Sequence, residues 1–241
     1  MARAVALATQ GGYSKAILTG RANDCPSGRC CYPSIMKKTA ANILQFLVIA
    51  ERIKRELRHS WLSDGRRESV AEHTWHMSLL ALLAHRHLEV PVRIEPVLKM
   101  IIVHDLVEAL AGDVPFFEVG ERKQAKAARE LAAIEEIRSR VGGETGQEIH
   151  DLWHEFEARE TLEARFAGAL DYLEVQMQHN LADLDTWEPV EYDLVYTKMD
   201  KVCAHDAFLV ELCGAVKEQA EAKMLAAGVD VDAVKRRLGL S

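Results

Sequence analysis

A histidine and an aspartate stand side by side at His104-Asp105, inside the otherwise apolar stretch MIIVHDLVEALAGDVP at 100–115. Burying such groups without partners is costly, so a pair in this setting calls for a counter-ion or a metal. A further imidazole, His73, follows Ser69-Val70-Ala71-Glu72, and a further carboxylate, Asp171, lies among apolar neighbours in AGALDYLEV. Together they offer two nitrogen and two oxygen donors from three separate segments. Two carboxylates cancel the charge of one divalent ion, and four protein donors on an octahedral ion leave positions for water and substrate. The set suits Mn2+, Fe2+, Co2+ or Zn2+ without choosing among them, and its lack of cysteine argues against a structural zinc. The dipeptide by itself carries little. His150-Asp151 sits in the polar GQEIHDLWHEFE, and His205-Asp206 in KVCAHDAFLV, an ordinary helical context.

Helices must position these donors. From about 39 onward apolar residues recur at helical spacing, first in ANILQFLVIAERIKREL. A loop, RHSWLSDGRRES, leads to a second helix, VAEHTWHMSLLALLAHRHL, which Pro91 stops. Ser69 is placed to cap it, with Glu72 at capping-box spacing. A third helix is expected over Ile94 to Ala111, closed by Gly112 and Pro115, with His104-Asp105 in its interior. A charged amphipathic helix over 121–141, helices around 145–158 and 160–182, and two or three more between 189 and 239 complete the chain. Trp75, Trp153 and Trp187 read as packing residues. No stretch reads as a strand and no repeat is present. The expected fold is all-α, with helices packed ridge into groove.

Composition bounds the rest. At 241 residues and 49% hydrophobic content, the chain suits one domain with a substantial core. A net charge of -7 argues against a protein that coats a nucleic-acid polymer. It leaves room for a small anionic substrate held by local arginines. Apolar runs such as LLALLA fall far short of the roughly 18 residues that span a bilayer, so no membrane partner is expected. The five cysteines do not form a disulfide framework, because Cys25, Cys30 and Cys31 cluster in an irregular stretch while Cys203 and Cys213 sit in helices. That pattern points to a reduced, cytoplasmic setting. Residues 1–35 read as a disordered or loosely attached extension, with the folded domain at 36–241. Their only carboxylate is Asp24, a composition open to a transit peptide, although Met36 followed by Lys37-Lys38 is the preferred translation start.

ESVAEH, then VHDLVEALAGDVP, then ALDYLE occur in that order. In this they resemble the HD-domain metal-dependent phosphohydrolases, most closely the 5'-deoxynucleotidase branch, over about residues 40–200. The ordered set H…HD…D with E-A-x-x-G-D-x-P is specific, whereas each part alone is not. The resemblance implies an HD-domain helical bundle in which His73, His104, Asp105 and Asp171 bind one catalytic divalent metal ion. It makes Glu108, three residues after the pair, the general acid or base. Spacing supports that role independently, since i and i+3 share a helix face. Asp113 matches a residue that touches substrate sugar or supports the site, and serves equally as a turn residue after Gly112. Arg58-x-x-Trp61 resembles a nucleotide-contacting R-x-x-W pattern. A guanidinium suits phosphate and an indole suits a base or sugar. Arg66 and Arg67 read as surface charges. The implied activity is hydrolysis of deoxynucleoside 5'-monophosphates by a homodimer. Two other readings stand beside it. One is a two-metal HD phosphodiesterase or oxygenase, whose extra ligands would have to come from His150 and His154. The other is a non-catalytic helical binding module, against which the complete ligand set speaks.

Overall fold

The computed structural model describes residues 32–115 and 117–240, with side chains from Thr39 onward other than that of Arg122. Residues 1–31, most of the expected extension, lie outside them, as do Cys25, Cys30 and Cys31. The chain divides into two compact units between Ala41 and Asn42. Everything below concerns the second, apart from the start of helix α1 (Tyr32–Ala50), which runs through the expected boundary at 36.

After α1 come strands β1 (Leu57–Trp61) and β2 (Arg67–Ser69), then α2 (Val70–Ala84), α3 (Ile94–His104) and α4 (Glu108–Ala111). There follow α5 (Glu121–Gln124), α6 (Lys126–Val141), α7 (Gly143–Ala158) and α8 (Leu162–Leu181). The last four are α9 (Pro189–Thr197), α10 (Met199–Cys203), α11 (Ala207–Ala226) and α12 (Val231–Arg237). Helix α8 is the axis of the fold, packed by α2, α3, α7, α10 and α11. Its buried Ala164, Ala167, Gly168 and Ala169 let neighbours approach closely, while Phe166, Leu170 and Leu173 fill the core with Met77, Met100 and Ile101. Among the described residues no helix is long and apolar enough to cross a membrane.

Helix α2 starts as its sequence predicts. The Ser69 hydroxyl accepts from the Glu72 backbone N–H at 3.3 Å, and the Glu72 carboxylate accepts from the Ser69 N–H at 2.9 Å. Two expectations are corrected. First, the loop before α2 is an antiparallel hairpin in an otherwise helical chain. Asp64-Gly65 turns it: Gly65 takes φ 85° and the Asp64 side chain accepts from the Arg66 N–H at 3.1 Å. An Asp-Gly pair is a strong hairpin signal, but the flanking residues here are mostly polar and lack the alternation that marks a strand.

Second, the third helix is not continuous from Ile94 to Ala111. It stops at His104, and Asp105 caps it with φ -97° and ψ 7°, in a sparsely populated region where active-site residues are often found. The cause is local. The His104 Nδ1–H donates to the Ile101 carbonyl at 2.7 Å, competing for the acceptor that the Asp105 N–H would use in a continuing helix. The Asp105 N–H turns instead to the Val103 carbonyl. Neighbours on a regular helix point about 100° apart. The break lets His104 and Asp105 face one centre. Trp75 also departs from expectation, being 66% exposed, whereas Trp153 and Trp187 are buried.

Candidate metal centre and catalytic cavity

Three helices and the hairpin converge beside the break. His73 projects from the first turn of α2, His104 and Asp105 from the end of α3, and Asp171 from the middle of α8. The ligand atoms of His73, His104 and Asp171 lie within 4.8 Å of one another. His73 Nε2 is 3.4 Å from Asp171 Oδ1. Asp105 Oδ2 stands 3.1 Å from His104 Nε2 and 3.8 Å from His73 Nε2. Two donors that each reach about 2.1 Å to one ion are themselves roughly 3–4 Å apart, so these separations suit a shared cation.

The imidazoles supply the test of fit. Both are buried, and the Nε2 atom of each lacks a hydrogen-bond partner. Their other nitrogens are committed, His104 Nδ1 to the Ile101 carbonyl and His73 Nδ1 to the Glu174 carboxylate. A neutral imidazole that donates from Nδ1 carries its lone pair on Nε2, the form that binds metal. The two orphaned lone pairs and two adjacent carboxylates therefore fit a divalent ion. Without an ion, burial and Arg58 oppose positive charge on His73, yet Glu174 and Asp171 outweigh them and push its pKa up to about 10. The acidic surroundings therefore favour a cation here, and a bound metal ion would have to displace the ring's second proton. Burial would raise Asp105, but His104, Arg58 and His73 overcome it and hold the carboxylate ionised.

Around this centre lies a cavity of about 220 Å³. Arg58, Asp105, Glu108, Asp113 and Asp171 line its ionic end. Strand β1 directs Arg58 inward, with Nη1 3.1 Å from Asp105 Oδ2 and Nε 3.6 Å from the buried Glu68 carboxylate. Burial disfavours the Arg58 cation, but Asp105, Asp171 and the neighbouring carboxylates hold it charged. Glu108 is 4% exposed and its Oε2 has no hydrogen-bond partner. Burial first, then Asp105 and Asp113, raises its pKa well above the carboxylate range. Asp113 interacts with the Glu108 carboxyl, and its own backbone N–H donates to Glu56 at 2.9 Å.

Trp61 does not join them. It is absent from the cavity lining, and its backbone carbonyl accepts from the Gln178 amide at 2.7 Å. The hairpin presents Arg58, His59 and Ser60 to the cavity. His150 and His154 are placed elsewhere, with their Nε2 atoms 3.1 Å apart and Glu135 3.2 Å from His150 Nε2. Neither lines the cavity. Arg66 pairs with Glu72 at the surface.

Two acids went unread in the sequence. Glu174, three residues after Asp171 on the same helix face, holds His73 Nδ1 with one oxygen and lies 2.8 Å from His76 Nδ1 with the other. Glu68, on β2, sits beneath Arg58. The i, i+3 spacing of Asp171 and Glu174 was the available signal for the first. A basic residue is also recruited: Arg159, in a left-handed conformation with φ 54°, lays its guanidinium 3.7 Å from the Phe156 ring centroid and 3.7 Å from Asp171 Oδ2.

Residues 50–208 match the family described as the HD domain. The chain is 33% identical over 148 residues to 5'-deoxynucleotidase HDDC2 of Danio rerio, covering 60% of this chain and 72% of that one. It is 32% identical over 146 residues to 5'-deoxynucleotidase HDDC2 of Dictyostelium discoideum, covering 57% of this chain and 76% of that one. Among solved structures it resembles the crystal structure of a predicted metal-dependent phosphohydrolase from Magnetospirillum magnetotacticum. That match has a TM-score of 0.66 and 31% identity, over 77% of this chain and 96% of the other.

Proposed function

The chain belongs to the HD-domain family, and on that premise we propose that it is a metal-dependent phosphomonoesterase acting on deoxynucleoside 5'-monophosphates. The single observation that carries the reading is the pair of buried imidazoles whose unpartnered Nε2 atoms share a centre with Asp105 and Asp171. Beside them, Glu108 and Arg58 line the same cavity. His73, His104, Asp105 and Asp171 would hold one divalent ion, of the Mn2+, Co2+, Fe2+ or Zn2+ group. Such an ion supplies Lewis-acid polarisation of a phosphate oxygen and lowers the pKa of a water.

The protein's own groups do the rest. Arg58 offers a planar donor fork to the phosphate, and its position against Asp105 keeps it at the ionic end. Glu108, whose carboxyl is biased toward its protonated form by burial and by the neighbouring Asp105 and Asp113, is set to give a proton to the departing 5'-oxygen. Asp113 steadies that carboxyl. The Glu174 carboxylate fixes the His73 ring. Products are a deoxynucleoside and inorganic phosphate.

The reading includes a homodimer in the cytoplasm. The exposed stripe of Trp75, Leu79, Leu82 and Leu83 on α2 supports the dimer, and light scattering of the purified protein tests it. For the activity, purified protein supplied with Co2+ or Mn2+ is assayed for phosphate release from the common deoxynucleotides and their ribonucleotide counterparts. Release from the deoxynucleotides is expected. Silence across all of them sinks the reading.

A further inference from the structure

The cavity continues past the ionic end, and two elements measure how far. Helix α8 contributes Asp171 at one end and His179 at the other, eight residues on, a rise of about 12 Å. Strand β1 contributes Arg58 at the ionic end and Ser60 two residues later, where the Ser60 hydroxyl lies 3.4 Å from His179 Nε2. The two elements converge on a polar pocket that the phosphate chemistry does not use.

Helix α9 closes this pocket with Glu191, which is 4% exposed. Glu191 Oε2 accepts from the Glu188 backbone N–H at 2.7 Å. Its Oε1 stands 3.6 Å from His59 Nε2 and 3.7 Å from His179 Nδ1, both beyond good hydrogen-bond length. His59 Nε2 is buried and lacks a hydrogen-bond partner. Phe117 holds the His59 ring edge-on, with centroids 4.9 Å apart at 86°. Buried polar atoms whose bonds are incomplete favour any ligand that completes them. Burial also pushes Glu191 up to about 7 and His179 down to about 4, so the pocket leans toward neutral groups and suits an uncharged polar edge better than a second anion.

We propose that this far end is a nucleobase subsite, in which Glu191 Oε1 accepts an N–H of the base and His59 Nε2 meets a heteroatom of the same edge, with Phe117 as an apolar wall. The inference rests on the deoxynucleotidase reading and adds the residues that sense the base. The offset along α8 is what a nucleotide needs when its phosphate lies by Asp171 and its base lies by His179. A base-free sugar phosphate fills only the first part.

The test compares a deoxynucleoside 5'-monophosphate with 2-deoxyribose 5-phosphate. Wild-type protein is expected to favour the nucleotide in kcat/KM. Glu191→Leu and His59→Leu should each shrink that preference roughly tenfold, the effect of one hydrogen bond to a buried group. Glu191→Gln, which keeps an acceptor oxygen, should retain most of it. A variant that only folds poorly slows both substrates and leaves the ratio unchanged, and an unchanged ratio in both leucine variants overturns the subsite. Calorimetric titration with the free deoxynucleoside, which carries no phosphate, gives an independent measure. Binding by wild type that weakens about tenfold in Glu191→Leu supports the subsite even if neither phosphate ester is hydrolysed, an outcome that would sink the deoxynucleotidase reading alone. Wild-type protein that neither binds the nucleoside nor prefers the nucleotide refutes the proposal.

Discussion

The Glu174 carboxylate accepts a hydrogen bond from Nδ1 of His73, and both side chains are wholly buried. The bond fixes the ring orientation and leaves Nε2 directed at Asp105 and Asp171. Outer carboxylates of this kind raise the basicity of a ligating imidazole, and their loss typically weakens metal binding 10–100-fold. Glu174→Gln should therefore lower Mn2+ or Co2+ affinity by roughly that factor while the far-UV spectrum is unchanged, and excess metal should restore much of kcat. Equilibrium dialysis measures the affinity. An unaltered affinity would show that His73 needs no such support.

Glu108 makes a different prediction because it stands outside the ligand set. Glu108→Gln keeps the shape of a buried, half-satisfied side chain but cannot supply the proton. Phosphate release should fall about 10²–10⁴-fold in kcat, with metal content preserved. Loss of metal in the variant, measured by elemental analysis, would move Glu108 into the ligand set and remove it as the acid.

Much of the candidate metal centre is legible in the sequence because each of its donors is a rare polar residue in an apolar run. His73, His104 and Asp171 needed only to be assigned to helices, and the Ser69–Glu72 capping box fixed where α2 begins. What stayed hidden depended on contacts across the fold. The convergence of His104 and Asp105 requires a helix break created by a side-chain bond to Ile101, which periodicity over 94–111 does not register. Arg58 stands out in the sequence and lines the cavity, but its RHSW context lacks the alternation that would mark the strand aiming it; Trp61, singled out beside it, does not line the cavity, whereas His59 does. Glu191 and His179 lie 12 residues apart in sequence and face each other only through the packing of α9 near α8.

Gly168 and Arg159 couple backbone space to Asp171 of the candidate metal centre. A Cβ at 168 would lie 1.7 Å from Arg159 Nη1, so only glycine leaves room for the guanidinium that reaches Asp171. Alanine in a helix interior ordinarily stabilises by about 0.5–1 kcal/mol over glycine. Gly168→Ala should forfeit that gain by displacing Arg159, and should lower kcat/KM several-fold. In an Arg159→Ala background the obstruction is gone. The same glycine replacement should then raise Tm and leave kcat/KM where Arg159→Ala set it, a non-additivity typical of touching residues. Thermal melts and kinetics on the four proteins check this. Independent, additive effects would separate Gly168 from Arg159.

Glu191 links the far end of the cavity to the pH dependence of stability. Burial raises its folded-state pKa to about 7 from an ordinary value of 4.5. A group raised in this way is bound to its proton more tightly in the folded than in the unfolded chain. Its contribution to stability is fully present below pH 4.5 and is lost as pH rises toward 7. His179 works in the opposite sense. Burial lowers it to about 4, so the unfolded chain takes up the proton first and stability falls as pH drops from 6.5. The two terms offset each other through the overlap of their windows. Glu191→Gln removes one of them and keeps an oxygen to accept from the Glu188 N–H. Its Tm relative to wild type should climb steadily from pH 4.5 to 7 and then level off. Melts taken every half unit of pH decide the matter: a constant difference across that range would mean that Glu191 titrates normally in the folded protein.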